Sequence, residues 1–116
     1  MENPKRGELT IVLGEKKYKA RVTMDVVMRI ERSMGMGIIK IAQQLSEANI
    51  STEQIVNMIL PVIRAGNNDI KDADLKKDIW EAGLVAGITA CSEIVASVLN
   101  AGNDEGNEEG VADRLV

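Results

Sequence analysis

The sequence predicts an α+β fold that is mostly α-helical, with an N-terminal β-hairpin packed on a bundle of four to five helices. Two short runs of alternating apolar residues at the N-terminus predict the hairpin. Helical spacing of apolar residues between recurrent capping residues predicts the bundle. With 116 residues, the chain fits one domain. We expect this domain to occupy residues 1–101, followed by a disordered acidic tail at residues 102–116, which are polar and rich in glycine.

The predicted hairpin comprises Glu8 to Leu13 and Lys17 to Val22, joined by a turn at Gly14. In both runs, every second residue is apolar, as in a half-buried strand. Because an isolated hairpin is only marginally stable in water, its apolar face must lie on helices. That face carries Leu9, Ile11, Leu13, Tyr18, Ala20 and Val22.

Two helices are predicted next. Thr23 is a good N-cap for the first helix, and Gly35 is a natural C-cap for it. The second helix is expected from Ile38 to Ala48, and Asn49 is expected to adopt the left-handed conformation that ends it.

The third predicted helix begins with a capping box formed by Ser51 and Gln54 and runs to about Ala65. It is apolar almost all round, so it is either central to the fold or covered by a partner. Pro61 lies inside it and removes one backbone hydrogen bond, which predicts a kink.

Asp72 is expected to cap a fourth helix that breaks at Gly83, and a fifth helix follows from Leu84 to Leu99. Small residues recur at every fourth position around this break, which lets helix backbones approach closely. The same pattern occurs in membrane spans. Here the apolar stretch is interrupted by Glu93 and falls short of the roughly 20 apolar residues that a span needs. We therefore expect no membrane segment.

The composition argues against catalysis. The chain has no histidine and one cysteine, Cys91, in an apolar run with no candidate base nearby. A group of acids does not have the spacing of a calcium loop and is interpreted as a solvated helix start: Asp69, Asp72, Asp74, Asp78 and Glu81. We expect no enzyme activity, no catalytic or metal site and no cofactor.

Charge is distributed unevenly along the chain. Residues 1–40 hold nine basic and five acidic residues, whereas residues 41–116 hold five basic and thirteen acidic residues. Such a pattern favours association with a protein partner or self-association head to tail. The acidic majority argues against nucleic acid as the main partner. With one cysteine and a charged N-terminus, the protein is expected to be cytoplasmic.

In the order of its elements the chain resembles the gene transfer agent family proteins, thought to act as tail assembly chaperones in gene transfer agents and siphophages. The resemblance rests on four segments: Asn3-Pro4-Lys5-Arg6-Gly7-Glu8, Thr23 with Ile30-Glu31, Gly35-Met36-Gly37, and Glu81-Ala82-Gly83-Leu84. It implies a protein that coats the tape-measure protein, recruits tail-tube subunits to it and leaves before maturation. It implies no catalytic residues.

We expect the partner-binding groove between the kinked third helix and the last helix. The candidate contact residues are Met58, Ile59, Val62 and Ile63, with Trp80 as an anchor; the alternative is that they are core. Three other functions stay open: a structural tail component of the virion, a small DNA-binding regulator and a dimerising adaptor.

Overall fold

The computed structural model describes residues 7–101. The expectations for Asn3 to Arg6 and for the tail at residues 102–116 lie outside the described residues. The elements are β1 (Glu8–Leu13), β2 (Lys16–Arg21), α1 (Met24–Met34), α2 (Ile38–Ser46), α3 (Thr52–Ala65), α4 (Asp72–Ala82) and α5 (Leu84–Leu99). The predicted hairpin followed by helices is confirmed.

The hairpin has the predicted faces. β1 pairs antiparallel with β2, and Leu13 lies opposite Lys16. The two-residue turn between them contains Gly14 at φ +66°, a conformation that glycine adopts without steric cost. The buried face includes Ile11, Leu13 and Ala20, which pack into the same core as the helices.

The caps of α1 agree with the sequence. The Thr23 hydroxyl accepts a hydrogen bond from the Val26 N–H, and Gly35 is left-handed at φ 71°. The end of α2 differs: the left-handed residue is Ala48 at φ 56°, so the expectation for Asn49 is wrong by one residue. Asn49 instead donates its N–H to the Gln44 carbonyl at 2.8 Å. In a Schellman motif, the residue that follows the left-handed residue donates its N–H to the carbonyl five residues earlier, as Asn49 does here.

α3 is the centre of the fold. The predicted capping box is present, with Ser51 and Gln54 bonded in both directions at 2.9 and 3.1 Å. The helix continues through Pro61 to Ala65. It packs against β2, α1, α4 and α5, which explains why it is apolar almost all round. The sequence left open whether a partner or the fold covers α3; here the fold covers most of it.

α4 and α5 meet at a sharp corner. Lys71 occupies the N-cap position of α4 without a capping side-chain bond, so the expectation that Asp72 caps the helix is wrong by one residue. Asp72 lies in the first turn and pairs with Lys76 at 2.9 Å. Gly83, at φ 97°, ends α4 and precedes α5, and the two helices turn by 113°.

The small residues of α5 serve packing within this chain. A Cβ atom on Gly87 would lie 3.0 Å from Ile55 Cγ2 of α3 and 3.4 Å from Ile79 Cγ2 of α4. Gly87 therefore lets three helices approach closely. Among residues 7–101 no single helix is long and apolar enough to cross a bilayer; α4 and α5 pass that test only together, as a bent pair.

Candidate functional site

The five residues predicted to bind a partner separate into two groups. Met58, Ile59, Val62 and Ile63 have no exposed surface and belong to the core. α3 packs directly on α5, where the Cys91 Sγ lies 3.9 Å from the Ile55 carbonyl oxygen. A partner can therefore reach these four residues only if the elements packed around α3 move apart. Their contact with a partner stays a prediction.

Trp80, the fifth residue, has a different position. Its side chain is 78% exposed, and it lies near Leu84 and Val85 in the sequence, which are 41% and 77% exposed. All three residues lie within six positions around the Gly83 turn. We call Trp80, Leu84 and Val85 the corner surface. Large exposed apolar side chains near one another mark interaction sites more often than isolated ones do.

Helix geometry explains why Trp80 faces solvent. Leu75 and Ile79 are buried and define the inward side of α4. Trp80 lies about 100° around the helix from Ile79 and follows Lys76 and Lys77 by four and three positions, so it shares their side. Both lysines are exposed. The tryptophan is thus bordered by two cations, whereas Glu81, the next residue, points about 100° away.

A buried carboxylate holds α4 against the hairpin. Asp78 is only 4% exposed. It accepts a hydrogen bond from Lys16 Nζ at 2.7 Å and a second one from the Tyr18 hydroxyl. Lys16 and Tyr18 both belong to β2, so one side chain of α4 fixes the helix to the second strand of the hairpin. Since Trp80 follows Asp78 by two residues, this contact also fixes the corner surface.

The three side chains shift one another's ionisation. Burial alone would raise the pKa of Asp78, but the hydrogen bonds from Lys16 and Tyr18 outweigh burial and hold this pKa below its ordinary value. Burial, followed by the hydrogen bond to Asp78, raises the pKa of Tyr18. The hydrogen bond to Asp78 also raises the pKa of Lys16. At neutral pH the group is therefore a carboxylate held by an ammonium and a neutral phenol.

A shallow polar cleft of about 390 Å³ opens beside this group. Its lining carries both signs of charge, from Lys16, Lys77, Asp69, Asp74 and Asp78. Within the part of the chain that the structure describes, no three side chains of the metal-binding types lie close enough to hold an ion. The acids that the sequence placed at a solvated helix start are exposed, with the exception of Asp78.

Cys91 is buried in the core, and burial raises the pKa of its thiol to about 12. A thiol with so high a pKa is almost entirely protonated at neutral pH and is a poor nucleophile. The side chain acts as a small apolar residue between α5 and α3.

The sequence did not predict the buried role of Asp78, which was interpreted as a solvated acid, or the exposure of Leu84 and Val85. A signal for Asp78 was present, because it lies three residues after Leu75 and directly before Ile79, on the apolar side of α4. A polar residue on a buried face requires a partner. Leu84 and Val85 carry no such signal, because only the direction of the turn at Gly83 decides which side of α5 is covered.

Over residues 7–101 the structure thus defines a small α+β protein, a hairpin on five helices, with an exposed apolar corner. Residues 6–101 match the family model described as "Phage tail tube protein, GTA-gp10". No curated protein and no solved structure matches the chain significantly. The match covers most of the chain, so the chain belongs to this family of phage and gene transfer agent tail proteins. The resemblance to gene transfer agent tail proteins is confirmed at this level.

Proposed function

We propose that this protein is a tail assembly chaperone that binds the tape-measure protein and brings tail-tube subunits to it. The corner surface carries the proposal, because an exposed tryptophan within five residues of an exposed leucine and an exposed valine is suited to receive an apolar helix of a partner. No catalytic step is part of the proposal. The site of action is the cytoplasm, where phage tails are assembled.

The size of the corner surface supports a partner that leaves again. An aromatic side chain buries about 150–250 Å², so three apolar residues offer a few hundred Å². A stable interface needs about 800 Å² from each partner, and permanent interfaces are larger and more apolar. Elsewhere on the described surface, the large apolar side chains that are exposed include Val12, Met24, Met28 and Ile39, on β1, α1 and α2.

A second candidate function is a structural component of the tail. The description of the matching family as a tail tube protein favours it. The two candidates differ in the fate of the protein. A chaperone is absent from purified particles, whereas a structural subunit is retained there in stoichiometric amounts. Quantitative mass spectrometry of purified particles separates them.

Co-expression with the tape-measure protein tests the chaperone function directly. We expect the soluble fraction of the tape-measure protein to rise when this chain is present, and the two proteins to elute together in size-exclusion chromatography. An unchanged soluble fraction would exclude the chaperone. In a separate measurement, light scattering of the purified chain reports whether it self-associates.

The variant Trp80→Ala tests the surface. Because the side chain is 78% exposed, we expect the free energy of unfolding to change by less than about 0.5 kcal/mol. Loss of an aromatic anchor at an interface costs about 2 kcal/mol or more, a loss of affinity of about 30-fold. Pull-down of the tape-measure protein with a concentration series measures this loss.

Met24→Ala is the matched control, since Met24 is 73% exposed on α1. It should leave both stability and affinity unchanged. Equal affinity of the Trp80→Ala variant and the wild type would show that the partner binds elsewhere on the molecule.

A further inference from the structure

We propose that Met24 and Met28, on the outward side of α1, form a methionine oxidation site at which peroxide changes the surface of the protein but leaves its fold intact. The co-reactant is a hydroperoxide, and the products are two methionine sulfoxides. The modification needs no partner, so it can fail or hold independently of the proposed function.

The exposure of the methionine side chains separates them into two classes. Met24 is 73% exposed and Met28 is 48% exposed, whereas Met34 is 8% exposed and Met58 has no exposed surface. Met36 lies between these classes, because it is partly buried against the core. Since oxidation of a thioether follows its exposure, the first two methionines are open to attack and the fold protects Met34 and Met58.

Helix geometry explains why Met24 and Met28 face solvent. The buried residues of α1 are Val26, Ile30 and Met34. At about 100° per residue, Met28 points about 160° away from Ile30. Met24 precedes Met28 by four positions and therefore lies on the same side of the helix. Neither thioether belongs to the buried core of the described residues.

The reaction at each sulfur is a two-electron oxygen transfer. A lone pair of the thioether sulfur attacks one oxygen of hydrogen peroxide, and the O–O bond breaks. The sulfur keeps that oxygen and is oxidised to the sulfoxide, while the second oxygen is reduced and leaves as water. The one thiol of the chain does not compete, because Cys91 is buried and the pKa of its thiol is raised to about 12.

The position of each methionine decides what its oxidation does. A sulfoxide is polar, so on Met58 it would place a polar group in the centre of the core. On Met24 and Met28 the same group is solvated by water. Oxidation at this site therefore turns the outward side of α1 from apolar to polar, and the packing of α1 on α3 remains unchanged.

Limited oxidation of the native full chain with hydrogen peroxide, followed by tryptic peptide mapping, tests the inference. Trypsin cleaves after lysine and arginine, so the methionines separate: Met24 and Met28 fall in residues 22–29, Met34 and Met36 in residues 33–40, and Met58 in residues 41–64. We expect peptide 22–29 to gain two oxygen atoms at least about ten times faster than peptide 41–64 gains one. The helical circular dichroism signal should stay constant during this fast phase.

The same reaction in urea is the matched control. Unfolding exposes every methionine, so the rates of the three peptides should converge to within about two-fold. The double variant Met24→Leu/Met28→Leu should lose the fast phase in the native protein, whereas Met36→Leu should keep it. The inference is overturned if native peptide 41–64 is oxidised as fast as peptide 22–29. Loss of helical signal during the fast phase would also overturn it, because the modification would then unfold the protein.

Discussion

Replacing Gly66 with alanine is expected to lower the free energy of unfolding by roughly 3 kcal/mol. Gly66 follows α3 and lies directly against β2. A Cβ atom there would be 2.2 Å from the Lys19 carbonyl oxygen and 2.7 Å from the Ala20 Cα. Both of these atoms belong to the backbone, so they cannot rotate away as a side chain would. The loop or the strand must move as a whole.

The displacement would also disturb the bond that fixes this loop to the hairpin. The Asn68 Nδ2 donates hydrogen bonds to the Lys19 carbonyl at 2.5 Å and to the Ile63 carbonyl at 3.2 Å. One amide group thus joins the end of α3 to β2. Any shift of Gly66 away from β2 lengthens the first of these bonds and adds to the loss of stability.

Urea denaturation followed by circular dichroism measures the effect. The control is Gly37→Ala, because the nearest atom to a Cβ there is the Glu31 Oε2 at 3.6 Å. We expect this control to cost no more than about 1 kcal/mol, mainly through the weaker N-cap. If both variants lose the same stability, the close contact between Gly66 and β2 has no special energetic role.

Replacing Asp78 with alanine is expected to cost about 2 kcal/mol. The variant removes both hydrogen bonds that hold α4 to β2 and leaves the half-buried Tyr18 hydroxyl without its acceptor. The loss of stability stays below that for breaking a fully buried ion pair. The Lys16 side chain is already 58% exposed, so water solvates its ammonium group when Asp78 is absent. Asp74→Ala, one turn earlier and exposed, is the control and should change stability by less than about 0.5 kcal/mol.

A double-mutant cycle between Asp78→Ala and Tyr18→Phe isolates the hydrogen bond. We expect the two losses to be non-additive by about 1 kcal/mol, since each variant removes the same bond. Additive losses would mean that the phenol and the carboxylate stabilise the fold independently.

The same group predicts how stability depends on pH. The folded pKa of Asp78 lies below its ordinary value, so its contribution is present above about pH 4 and is lost as the pH falls through the lowered pKa. The folded pKa of Tyr18 is raised. Its contribution is therefore present below about pH 10 and is lost as the pH rises further. In Asp78→Ala the decline below pH 4 should be weaker than in the wild type, as acid titrations of the urea midpoint would measure.

Local signals explain why most of the fold was predictable. The hairpin faces, the Thr23 and Gly35 caps and the Ser51–Gln54 capping box depend on residues within a few positions of one another. The errors at Asn49 and Asp72 are shifts of one residue at helix ends, where several neighbours compete for the same role. The bounds of two elements also shift: α2 ends at Ser46 and not at Ala48, and β2 spans Lys16–Arg21 and not Lys17 to Val22. Ala48 adopts the left-handed conformation, and the N–H of the next residue, Asn49, donates to the Gln44 carbonyl.

The candidate site was less predictable, because it depends on how distant elements meet. Met58 and Val62 have the same apolar character whether a partner or the rest of the fold covers them, so the sequence alone does not distinguish these cases. The partners of Asp78 lie about 60 residues away in the chain. The exposure of Leu84 and Val85 depends on the turn of 113° at Gly83, which decides which side of α5 is covered.

The position of α3 in the middle of the sequence has a consequence for synthesis. α5 packs on α3 and is the last element of the described residues. It therefore leaves the ribosome after α3. While α5 is still inside the exit tunnel, the nascent chain leaves Ile55, which packs against Gly87 and Cys91 of α5, uncovered. Until α5 has left the exit tunnel, the nascent polypeptide thus exposes apolar core residues, which are covered only when this last helix packs on α3.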